Sequence, residues 1–135
     1  FTMAKSWETY GIHALEAVYP IVGPGFISVQ NTGDADRNIL HLRHRDNIDI
    51  NLVNIYGLAG GAGMMTLAGQ SGGVQLKMTD SYRAFKAQLM SFIEFLRTGS
   101  PPVPWDETKE LMQLVIAGIE SREAGGKTIY LKDLE

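Results

Sequence analysis

The sequence predicts an α+β domain, an open and mostly antiparallel sheet with about three helices packed on one face. Three observations carry this. Apolar residues recur at three- and four-residue spacing near both ends of the chain, the period of a half-buried helix. Short runs of β-branched and alternating residues lie between them, the period of strands. Gly and Pro stand at the joints.

The first element is a helix. Tyr10–Val22 is predicted helical, because Ile12, Leu15, Tyr19 and Val22 line one stripe and Thr9 suits the N-cap. Pro20 removes the donor that the Glu16 carbonyl needs, so the helix should end or kink there, and Gly23-Pro24-Gly25 stop it. Phe26–Asn31 reads as a strand. Arg37–Arg45 and Ile48–Tyr56 form a hairpin around Asp46-Asn47. A strict two-residue loop would pair Arg43 with Ile50 and mix both faces. A slip of one residue gathers Leu40, Leu42, Ile50 and Leu52 on one face and Arg43, Arg45, Asp49 and Asn51 on the other, so a bulge or a three-residue loop is expected. Met65–Ala68 and Val74–Met78 form a second hairpin around Gly-Gln-Ser-Gly-Gly. Ser81–Thr98 is the clearest helix, with Phe85, Leu89, Phe92 and Leu96 as its stripe and Gly99 as its stop. After the Pro101–Pro104 connector, Asp106 is expected to cap a third helix that buries Leu111, Leu114, Val115, Gly118 and Ile119. Lys127–Leu131 is the last strand.

Composition bounds the function. The 135 residues, 44% hydrophobic and 20% charged, make residues 1–135 a single domain with a real core, not a disordered chain. A net charge of −3 without a basic run argues against nucleic acid as a partner, and no apolar run reaches the roughly 18 residues of a membrane span. No cysteine is present, which removes disulfides and thiolate metal sites. The chain begins with Phe1 rather than Met, so it is expected to be part of a longer parent chain.

Few residues invite chemistry. The run Gly57–Gly63 lacks the strand–turn–helix setting of a dinucleotide fingerprint and the Gly-Lys-Ser/Thr of a P-loop, so no cofactor-binding residue is assigned. His41 and His44 are three apart on a strand and point to opposite faces, so they do not share a metal ion. No pair of carboxylates is placed for glycosidase-type work. His13 is different. On the helical wheel it lies beside Glu16, about 110° from the centre of the apolar stripe. With the helix starting at Tyr10 it falls in the first turn, where unpaired N–H groups disfavour imidazolium. Glu16, one turn on, could orient the ring or bind a polar ligand. The same position also suits an interface histidine that is merely hydrogen-bonded, and spacing does not separate the two.

Tyr10-Gly11-Ile12-His13-Ala14-Leu15-Glu16 followed by Gly23-Pro24-Gly25 resembles the C-terminal domain of the glucose-fructose oxidoreductase and inositol dehydrogenase family. So do Leu67–Gly72, Ser81-Tyr82, Phe92–Gly99, Pro101–Pro104, Glu107, Glu110, Ala117, Ser121, Gly125-Gly126-Lys127 and Leu131, in that order. The resemblance covers nearly the whole chain. It implies a substrate-binding and oligomerisation domain of an NAD(P)-dependent oxidoreductase acting on a sugar or polyol. It further implies that the Rossmann domain holding NAD or NADP, and the family's catalytic lysine, lie in an N-terminal half outside these residues. The family's catalytic histidine falls on His13, and its following acidic residue on Glu16; Tyr10 and Glu16 become the substrate-binding candidates. The carboxylate that usually precedes the histidine falls on Thr9, a departure that leaves open a non-catalytic oligomerisation or sugar-binding module. The expected partners are the parent's own Rossmann half, a small sugar-like substrate and a second copy through the sheet. A cytoplasmic location is the default expectation.

Overall fold

The computed structural model describes residues 1–60 and 63–134. Among these residues there are seven strands and three helices. The strands are β1 (Thr2–Ala4), β2 (Phe26–Asn31), β3 (Arg37–His44), β4 (Asp49–Ile55), β5 (Met64–Gly69), β6 (Gly72–Lys77) and β7 (Ile129–Tyr130). The helices are α1 (Trp7–Val22), α2 (Ser81–Thr98) and α3 (Trp105–Glu123). One open sheet runs in the order β6-β5-β1-β4-β3-β2-β7. β1 and β4 pair in parallel and the other described neighbours are antiparallel. The fold class is the expected one.

The central hairpin shows how pattern sets register. Leu42 pairs with Ile50 and Leu40 with Leu52, while Arg43 pairs with Asp49 and His41 with Asn51. The turn is the expected three-residue loop: the His44 N–H donates to the Ile48 carbonyl, and Asn47 takes a left-handed φ of 59°. Alternation then sends Leu40, Leu42, Ile50 and Leu52 into the core. Arg45 differs from expectation. It belongs to the loop and lies over Gly25, not on the open face.

Helix α1 starts three residues earlier than the sequence suggests, with Ser6 rather than Thr9 at its N-cap. The reason is Trp7. It is fully buried, and its indole N–H donates to the Val115 carbonyl at 2.9 Å. The buried face therefore runs through Trp7, Gly11, Ala14, Leu15, Val18 and Tyr19, rotated from the predicted stripe. Pro20 sits in the last turn, and the helix ends two residues beyond it at Val22, with Gly23 as its C-cap at a φ of 74°. Helix α3 begins at Trp105, capped by Pro104. Asp106 and Glu107 lie in its first turn, where their charge complements the helix dipole, so Asp106 is not the cap. The last strand is shorter than expected, since Leu131–Asp133 turn into a 3₁₀ segment.

Helices α1 and α3 lie side by side on one face of the sheet and seal the core with Val29, Leu40, Leu42 and Leu52. A buried polar network ties them down. Asn31 donates through Nδ2 to Asn38 Oδ1 and to the Gly118 carbonyl, and the Asn31 N–H reaches Ser121 Oγ at 2.8 Å. Arg122 donates to Asn38 Oδ1 and forms an ion pair with Glu8. Helix α2 is different in packing: its predicted stripe exists, but none of its residues is buried.

Candidate active site

Tyr10, His13 and Glu16 are spaced by three on α1, so they succeed one another along its surface. The ring of Tyr10 meets that of His13 edge-on, with centroids 5.1 Å apart. His13 Nδ1 lies 2.9 Å from Glu16 Oε2, and both side chains are about half exposed, at 55% and 52%. A carboxylate oxygen that accepts from the ring makes Nδ1 the donor of this pair, and the imidazole as a whole stays half open to solvent. The structure thus brings together all three site residues named from sequence. It changes one part of the reasoning: with α1 starting at Trp7, His13 stands in the second turn, so an argument from first-turn N–H groups does not apply to it.

Thr9 lies one turn earlier. Its hydroxyl is 2.8 Å from that of Ser6, so the turn before His13 carries two hydroxyls, with no carboxylate at position 9. The early helix start was the signal missed in sequence. Trp7, Gly11, Ala14, Leu15 and Val18 keep a helical period once Trp7 is included.

The other candidates resolve differently. His44 is buried, donating from Nε2 to the Pro24 carbonyl while Nδ1 accepts the Asp46 N–H at 3.2 Å. His41 lies on the open sheet face with Asp49 at 2.9 Å. The hydrogen bond from His41, with the Arg43 guanidinium close by, holds the Asp49 carboxyl below its usual range. The glycine-rich run includes residues 61 and 62, which lie outside the described residues. Gly57 and Gly60 have positive φ, and the next element along the chain is the strand β5 rather than a helix. Among the described residues the run leads into a strand, whereas a dinucleotide pyrophosphate rests on a helix N-terminus.

An open groove of about 600 Å³ runs between the α1–β2 turn and the start of α3 and is lined in part by Arg45, Glu107, Glu110 and Lys132. Its central carboxylate is already engaged. Glu110 accepts the N–H groups of Gly25 and Phe26, each at 2.9 Å, and the Tyr19 hydroxyl at 2.6 Å. Burial, then the carboxylate beside it, pushes the Tyr19 hydroxyl well above its ordinary value, so it stays a donor. This end of α1 is a structural clamp.

No family model and no curated protein matches the chain. Among solved structures, a myo-inositol dehydrogenase from Corynebacterium glutamicum ATCC 13032 matches with a TM-score of 0.75 at 20% identity. The match covers 96% of this chain and 54% of that one, so the chain spans about half the length of the dehydrogenase. The resemblance read from the sequence motifs is thus joined by a likeness in fold, and nearly the whole chain shares the architecture of part of that dehydrogenase.

Proposed function

We propose that this chain is the C-terminal, substrate-binding half of an NAD(P)-dependent oxidoreductase acting on a sugar or polyol. The observation that carries the reading is His13, paired with Glu16 through Nδ1 and with its side chain half exposed, on a fold shared with an inositol dehydrogenase. His13 Nε2 accepts the proton of a substrate hydroxyl, Glu16 holds the ring and steadies the imidazolium that forms, and Tyr10 borders the same surface. NAD or NADP, held outside these residues, would supply the hydride acceptor. Residues 1–135 alone are accordingly inactive in this reading. The test is turnover by the longer chain with NAD⁺ or NADP⁺ over a panel of polyols and aldoses. Polyol-dependent reduction of the dinucleotide is expected. A second reading, a sugar-binding or oligomerisation module without chemistry, is favoured by Thr9 and its hydroxyl pair with Ser6. Calorimetric binding of a polyol with no reduction of either dinucleotide would decide for it.

The open sheet face supports a second part of the proposal, a homo-oligomer. On the part of this face made by β3 and β4, Ile39, Val53 and Ile55 interrupt Arg37, His41, Arg43, Asp49 and Asn51. A purely polar face meets water without penalty, whereas these apolar side chains gain by being covered. Light scattering should give a two-fold dimer that Val53→Glu converts to a monomer. A monomeric wild-type mass at micromolar concentration would contradict it.

A further inference from the structure

The chain exposes 8819 Å², against the roughly 7,000 Å² that a compact monomer of this mass leaves to solvent. The excess points to the segment Met64–Thr98. Among the described residues β5 pairs with β1 only at Met64 and Thr2, and β6 is exposed along its whole length. Register fixes which side is uncovered. Met64 pairs with Thr2 and Thr2 with Val53, which places all three on the open face. Met65, Leu67, Val74 and Leu76 therefore belong to the helix side. Helices α1 and α3 cover that side only over the central strands. Val74 and Leu76 remain 47% and 46% exposed, on the side of the sheet that carries α1 and His13.

Helix α2 adds a second uncovered surface. Tyr82, Phe85, Leu89, Phe92 and Leu96 keep the three-four spacing of a packing seam, yet each is at least half exposed. At roughly 200 Å² for each large side chain in the open, this seam presents on the order of 600 Å². Val74, Leu76 and Met78 add on the order of 300 Å² on the hairpin side, so the two surfaces together are of the size that each partner buries in a specific interface, about 800 Å². The seam of α2 by itself already has the size of the largest contiguous apolar patch that a single domain leaves in water.

We infer that the seam of α2 and the helix-side face of the β5–β6 hairpin together form the docking surface for the preceding half of the parent chain. The inference rests on the proposed oxidoreductase function and adds the surface through which the two halves meet. Two observations select this occupant. About half of the structurally similar dehydrogenase has no counterpart in these residues. The hairpin also continues the sheet outward from β1, one of the strands against which α1 packs, on the same side of the sheet. A second copy is the competing occupant, and a fold-back of α2 onto its own hairpin is the other.

Photo-cross-linking of the longer chain tests this. Phe92→benzoylphenylalanine and, separately, Tyr82→benzoylphenylalanine put a probe at exposed aromatic positions. Irradiating a mixture of unlabelled and heavy-nitrogen chains separates links within a chain from links between chains. The expected product at both positions is an intrachain link to residues preceding Phe1. Links between chains, links to Met64–Lys77 of the same chain, or no links at all would overturn the inference. Calorimetry of NAD⁺ and NADP⁺ on the same samples keeps the two levels apart. Dinucleotide binding without the expected link overturns the docking surface alone. Absence of binding for both dinucleotides overturns the oxidoreductase function beneath it.

Discussion

Trp7 lies between two glycines. A Cβ on Gly118 would come within 2.6 Å of the indole nitrogen and 2.8 Å of Leu40, and one on Gly11 within 2.6 Å of the same ring. The indole is pinned by its hydrogen bond to Val115 and cannot yield as a flexible chain would. Alanine at Gly118 gains up to about 1 kcal/mol in helix propensity. Overpacking against a fixed ring costs about 1–3 kcal/mol, and that term wins. Gly118→Ala is expected to lower the urea midpoint, and an unchanged or raised midpoint would show that the ring can move. Sequence marked Gly118 as part of a buried face without giving its reason. A small residue inside a helix reveals its role only when Trp7 arrives from the other helix.

At the scale of elements, α1 and α3 are fastened at both ends, by Tyr19 with Glu110 and by Glu8 with Arg122. Partial burial works to raise the Glu8 pKa, and the hydrogen bond and charge of Arg122 more than reverse this, leaving it below the ordinary 4.5. A depressed folded-state value means that this contribution to stability is fully present above about pH 4.5 and is lost as pH falls through the folded value. Glu8→Gln should therefore flatten the acid limb of a thermal-melt series below pH 4.5 and leave that limb's shape elsewhere unchanged. An acid limb identical to wild type would remove Glu8 from the account. Elements with a strong period were legible: α2 matches its predicted bounds, and the β3–β4 register is dictated by which face is apolar. β1 was not legible, because three residues carry no period and its place is set by β4 and β5. The start of α3 was misplaced because Asp106 is as suited to a first turn as to a cap.

For the whole molecule, the sequence indicates the layers but not which helix is left unpaired. A stripe such as Phe85–Leu96 says only that something apolar lies against it, and within the described residues nothing buries it. The same holds for the site. Spacing alone places His13 beside Glu16 on α1 and the resemblance adds Tyr10, while the hydrogen bond that orients the imidazole and the exposure of its side chain require the folded chain. The central claim is that this exposed imidazole takes the substrate proton. It is tested most directly by kcat of the longer chain for dinucleotide-dependent polyol oxidation, comparing His13→Asn with Ile21→Ala, an exposed control on the same helix. Loss of a general base lowers kcat by about 10²–10⁴-fold, so His13→Asn should fall in that range while Ile21→Ala stays near wild type. A His13→Asn enzyme within a few-fold of wild type would contradict the account.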